Sequence, residues 1–179
     1  STPTISPVNN IARQNRYAVA KLFAEYRHRS LPELPIVDLR IFGYFSSSQD
    51  QHAGFFLSDA LRALQAKQVL YTNSADIVRD FIGVDDFYSL VMALIGAPPR
   101  NDAIDVYTRA PVAKLELLDA LKEEHGLQYE IQDFSPEAVY ATGFKLNYYS
   151  NNFKAASFGY EPQFNSMDTV LKAMASLNV

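Results

Sequence analysis

The chain has no cysteine, no tryptophan and only three histidines, His28, His52 and His125. Without thiols there is no disulfide framework and no thiolate metal site, and histidines so far apart in sequence do not suggest a zinc centre. A metal site is therefore not expected. Basic runs are also missing, and the net charge is -4. Nucleic acid is excluded as the main partner, because that binding needs a concentrated cationic face. No apolar run approaches the roughly 20 residues of a membrane span, and the polar opening "STPTISPVNN" does not read as a signal peptide. No membrane association is expected, and the cytoplasm is the expected compartment. The seven glycines all stand singly. No glycine-rich turn able to cradle a dinucleotide pyrophosphate can be assembled from them.

What is present is 179 residues at 48% hydrophobic content, enough for one packed domain or two small lobes. Helical and strand periods alternate along the chain. Val19, Leu22, Phe23 and Tyr26 keep helical spacing from Arg16 to His28, until Ser30, Pro32 and Pro35 end the helix. "PIVDLRIF", Pro35 to Phe42, reads as a strand buried on both faces. A helix follows across "FFLSDALRALQA", then strands near "QVLYT" and at "RDFIGV". The next helix runs from Asp85 or Asp86 through Ile95, its acidic start suiting the dipole. "AIDVYT" is another strand, and the helix in "PVAKLELLDALKEEHG" stops at Gly126. The last helix, "SMDTVLKAMASL", is capped by Asn165 or Ser166. The class is α/β.

The chemistry-bearing spacing lies at the start, in "RQNRYAVAKLFAEY", where Tyr17 and Lys21 are one helical turn apart. With eleven tyrosines, a Tyr-x-x-x-Lys spacing arises by chance about 0.4 times in such a chain and is weak alone. Order adds weight. The Tyr17–Lys21 helix is followed by a strand carrying Leu39, Arg40 and Phe42. Next come Arg79, Asp80, Phe81, Val84 and Asp86, spaced as Arg-Asp-Phe-x-x-Val-x-Asp, and late in the chain Phe158, Gly159, Tyr160 and Pro162.

In that order these elements resemble the C-terminal half of the extended short-chain dehydrogenase/reductases, the NAD-dependent epimerase/dehydratase family that acts on nucleotide sugars. The resemblance implies the C-terminal part of a Rossmann-type NAD(P)-binding domain, with a small α+β substrate-binding lobe and the glycine-rich N-terminal half absent. Residues 1–45 and 85–108 would belong to the cofactor-binding domain, and 46–84 and 109–179 to the nucleotide-sugar lobe. The family's catalytic serine or threonine lies farther before the tyrosine than the 16 residues available. The chain thus reads as a fragment of a longer enzyme, with a short stand-alone protein as the alternative.

Tyr17 would be the general base and Lys21 its partner, both contacting NAD or NADP. A free phenol titrates near pH 10, so proton acceptance at neutral pH needs adjacent positive charge. The resemblance places Phe42 and Tyr44 against the nicotinamide and Arg79 on the sugar nucleotide's diphosphate, a task suited to a bidentate guanidinium. Lys145 stands near a position where the family often has a second diphosphate arginine. Gly43 and the Asn73–Ser74–Ala75 turn depart from the family's asparagine and glycine turn. "KLNYYSNNF" offers stacking or hydrogen bonds to a ligand.

The intact enzyme is expected to be a homodimer that binds a nucleotide-diphosphate sugar. It would be an epimerase, dehydratase or reductase, in polysaccharide or related sugar biosynthesis. This chain alone is expected to be inactive and to hold NAD or NADP only weakly. A noncatalytic sugar-nucleotide scaffold of the same fold and an unrelated α/β binding module are the alternatives.

Overall fold

The computed structural model of the protein describes residues 16–50, 52, 54–132 and 147–177. The first helix, α1 (Arg16–Arg29), contains neither proline nor glycine and ends on Arg27, His28 and Arg29, cations that suit the negative end of its dipole. Beyond it, the Asn101 side-chain nitrogen lies 2.9 Å from the His28 carbonyl and 2.8 Å from that of Leu31. Strand β1 (Val37–Arg40) pairs in parallel with β4 (Asp102–Asp105), Val37 opposite Asp102 and Arg40 opposite Asp105. Because strand side chains alternate, Asp38 and Arg40 share one face, where they meet α1 through His28, Arg29 and Glu25. Val37 and Leu39 pack into the apolar core on Ile104 and its neighbours.

Two further strand groups are small. Strand β2 (Leu70–Thr72) pairs in parallel with β6 (Tyr129–Ile131). Strand β3 (Val78–Arg79) lies between β5 (Val112–Ala113), antiparallel to it, and β7 (Asn147–Tyr148), parallel to it. Helices α2 (Phe56–Ala66), α4 (Lys114–His125) and α5 (Ser166–Ala175) enclose one apolar core, with Leu57, Leu61, Leu117, Leu118, Leu121, Val170 and Met174 at its centre. A second core joins α3 (Val84–Gly96) to β1, β4 and the 3-10 turn Lys154–Phe158 through Leu90, Ile104, Val106, Phe158 and Tyr160.

Gly126 ends α4 at φ 73°, a left-handed conformation glycine adopts without steric cost. Asn165 caps α5, its side chain accepting from the Asp168 N–H at 2.8 Å. Both ends match the sequence expectation.

Other expectations need correction. The strand expected across Pro35–Phe42 pairs only over Val37–Arg40 and is half-buried throughout. One of its faces is charged and turned to α1, and β4 is its only strand neighbour among the described residues. Of the "RDFIGV" strand, Arg79 to Val84, only Arg79 lies in a ladder, as the second residue of β3, and Ile82 makes an isolated parallel bridge to Tyr44, because Asp80 leaves the ladder to serve as an acceptor. Its carboxylate takes the Thr108 N–H at 3.1 Å, the Thr108 hydroxyl at 2.6 Å and the Ser166 hydroxyl at 3.0 Å. Of the acids expected at the start of α3, Asp86 is 1% exposed and accepts from the backbone N–H groups of Gln163 (2.8 Å) and Phe164 (3.0 Å). Its partner Asp85 pairs with Lys172 at 2.7 Å. These carboxylates hold distant segments together as well as lying near a helix end.

Candidate functional site

Tyr17 stands in the first turn of α1, 67% exposed, and the Lys21 ammonium lies 5.6 Å from its ring centroid. The i,i+4 relation puts both on one helix face, within cation–π range. What holds this face in place is a polar line running through the fold. Glu25, one turn beyond Lys21, accepts from Arg40 Nε at 2.9 Å, and Arg40 Nη1 reaches Asp105 at 3.1 Å. Asp105 is 3% exposed and also accepts the Ser150 hydroxyl at 2.6 Å. The hydrogen bond to Glu25, working against burial, holds the Arg40 guanidinium more firmly protonated than an ordinary arginine.

Ser150 follows Tyr148 by two residues, so the same line leads from α1 to β7. Tyr148 is half-buried, its ring 5.1 Å from that of Phe42. Burial is the largest cause raising the Tyr148 phenol above its ordinary range, with Tyr17 and Asp105 acting the same way and Arg79 opposing. Arg79 is the direct register partner of Tyr148 across the β3–β7 ladder. Phe42 and Arg79, far apart in the chain, therefore meet at Tyr148, Tyr17 acts on it electrostatically, and Lys21 lies over the ring of Tyr17.

Phe42 is 8% exposed and backs the Tyr148 ring. Tyr44, 40% exposed, sets its ring edge-on to Phe87 of α3 at 6.0 Å. Lys145 lies outside the described residues. Tyr148 itself is singled out by no sequence signal beyond its tyrosine- and asparagine-rich segment, since a two-residue strand has no period to read.

The two departures from the family pattern also acquire a physical reason. A Cβ at Gly43 would lie 2.6 Å from the Asp80 carbonyl oxygen and 2.9 Å from Phe81 Cδ1, so the backbone there approaches too closely for an asparagine. That approach is made by the Ile82 N–H donating to the Gly43 carbonyl at 3.0 Å and the Phe45 N–H donating to Ile82 at 3.1 Å. In the 73–75 turn, Asn73 Oδ1 accepts from the Ala75 N–H at 3.1 Å, an Asx turn that closes the bend without glycine. Among the described residues no cluster of histidine and carboxylate groups is arranged to hold a metal, and no helix is long and apolar enough to cross a membrane.

An exposed phenol beside an ammonium, with a guanidinium and a second phenol nearby, is suited to a polar anionic ligand and to moving a proton at a hydroxyl.

No family model and no curated protein matches the sequence. Solved structures do match. The chain is similar to a UDP-glucuronic acid 4-epimerase from Bacillus cereus, solved with UDP-glucuronic acid and NAD, with a TM-score of 0.74 and 18% identity over 90% of this chain and 51% of that one. It is similar to a UDP-glucose 4-epimerase from Thermotoga maritima with UDP-glucose, TM-score 0.71 and 17% identity, covering 90% of this chain and 53% of that one. A dTDP-glucose 4,6-dehydratase from Bacillus anthracis in complex with NAD gives 0.68 and 14%, covering 88% and 49%. At these identities the likeness establishes the fold, an α/β fold shared with NAD-dependent nucleotide-sugar epimerases and dehydratases. The chain spans about half the length of the structures it matches.

Proposed function

We propose that this chain is the C-terminal, substrate-binding portion of an NAD(P)-dependent nucleotide-sugar epimerase, dehydratase or reductase, and that it contributes the acid/base helix. The observation that carries the reading is the Tyr17–Lys21 pair on one face of α1, supported by the meeting of Phe42 and Arg79 at Tyr148. We assign 1–45 and 85–108 to the cofactor side and 46–84 and 109–179 to the sugar-nucleotide lobe; the core on β1, β4 and α3 also takes in Ile82, Phe158 and Tyr160 of the lobe, and the core on α2, α4 and α5 takes in Phe45.

In this reading Tyr17 accepts a proton from a sugar hydroxyl. The Lys21 ammonium stabilises the phenolate form electrostatically and hydrogen-bonds the ligand in front of it. Arg79 grips the diphosphate and Tyr148 stacks beside it, with Phe42 behind. Lys145 adds a second cation, and Tyr44 lines the nicotinamide side. The residues fit the nicotinamide end of a dinucleotide through Tyr17 and Lys21, but the isolated glycines do not fit its pyrophosphate. When bound, NAD or NADP supplies the hydride acceptor; the protein orients the sugar and moves the proton.

Calorimetry on the chain tests this. UDP is expected to bind and Arg79→Ala to abolish most of that binding, while NAD binds more weakly than the low-micromolar range, about 8 kcal/mol. UDP binding unchanged by Arg79→Ala, or tight NAD binding, would overturn the corresponding part of the proposal.

The proposal includes a homodimer. Phe23 and Tyr26 project from α1 at 70% and 66% exposure, and Val84, Tyr88, Met92 and Ile95 form an outward apolar stripe on α3. Exposed apolar stripes at helical spacing are suited to helix packing. Sedimentation at about 50 micromolar, where moderate apolar contacts saturate, should show a dimer or larger species; a stable monomer contradicts it.

A further inference from the structure

Lys114 is 5% exposed at the first position of α4, a poor place for a cation twice over, because burial strips its hydration and the helix dipole is positive there. Burial lowers its amine below the ordinary lysine range, with Asp76 pulling the other way. Its ammonium donates to the Asn73 carbonyl and to Asn73 Oδ1 at 3.0 Å. The backbone repeats the attachment: Lys114 N–H donates to the Ile77 carbonyl at 2.9 Å, and Asp76 accepts from the Leu115 N–H at 3.0 Å. The 73–77 turn and the start of α4 are thus fastened at four points, immediately before β3.

Strand β3 needs such fastening. It has only two residues, so each flanking ladder has only two residue pairs. A slip of one residue would carry the Arg79 side chain to the opposite face of the sheet. A ladder so short specifies register little by itself, so the flanks must set it: Asp80, Phe81 and Ile82 are tied to Thr108, Ser166 and Gly43 after β3, and Lys114 ties the turn before it.

We propose that Lys114 is a positioning residue that holds β3 in register, so that Arg79 stands beside Tyr148. Its bearing on function rests on the assignment of Arg79 to a diphosphate, but the register can be read without any ligand. In the isotopically labelled chain, cross-strand NOEs between Val78–Arg79 and Asn147–Tyr148 report it, and methyl contacts of the Leu117, Leu121 and Val170 core report the fold.

Lys114→Met is expected to keep the methyl contacts, lose the cross-strand NOEs and weaken UDP binding about tenfold or more, as for loss of a charge-assisted contact. Full-strength cross-strand NOEs in a folded Lys114→Met chain overturn the proposal. If that variant does not fold, Asn73→Ala, which removes one acceptor and the Asx turn, must weaken the same NOEs; unchanged NOEs there overturn it equally. UDP binding that Arg79→Ala leaves intact refutes the diphosphate role while the register result stands on its own.

Discussion

In the longer NAD(P)-dependent enzyme to which we propose this chain belongs, Tyr17→Phe is expected to lower turnover by roughly a hundred- to ten-thousand-fold, the usual contribution of a positioned general base. The Michaelis constant should barely move, because the hydroxyl acts where the proton is in transit and not in holding the nucleotide. At 67% exposure, with its ring making one cation–π contact, Tyr17 should lose its oxygen with little effect on stability. A fall in rate therefore reports chemistry. Lys21→Ala should differ in kind, reducing both rate and cofactor affinity. Steady-state kinetics with the nucleotide sugar and NAD decide the matter, and near wild-type turnover in Tyr17→Phe removes the tyrosine from the mechanism.

The largest effect on stability is expected at Asp80, next to the proposed diphosphate arginine. Asp80→Ala strands the buried Thr108 N–H and removes the carboxylate that takes the hydroxyls of Thr108 and Ser166, leaving them the Ala110 carbonyl at 2.9 Å and each other at 3.2 Å. One stranded donor and the loss of two charge-assisted hydrogen bonds should together remove about 3–5 kcal/mol, a large fraction of a typical domain's stability. Ser166 also accepts from the Phe81 N–H at 2.9 Å, so the start of α5 and the strand carrying Arg79 are fastened through the same group. Asp80→Asn should recover part of the loss, since an amide oxygen still accepts. Urea unfolding measures it: a decrease below about 1 kcal/mol in Asp80→Ala, the size of a single ordinary hydrogen bond, means that water or a backbone shift replaces the carboxylate.

The helices were legible in the sequence because their signals are local. Apolar spacing, the glycine after His125 and the asparagine before Ser166 act on residues within a turn or two, and α4 and α5 end and begin where those signals stand. The Tyr17–Lys21 pair was legible for the same reason, as an i,i+4 spacing on one helix. Tertiary structure decided the rest. Strands of two residues have no period, so nothing near Val78 or Asn147 announces that Arg79 and Tyr148 are neighbours. The acids and the lysine of the motif regions look solvated in sequence, yet Asp80, Asp86, Asp105 and Lys114 are buried, each bonded to a distant segment. A side chain's helical neighbours are set by chain geometry, whereas its burial and its cross-strand partners are set by long-range packing and register, which no local window contains.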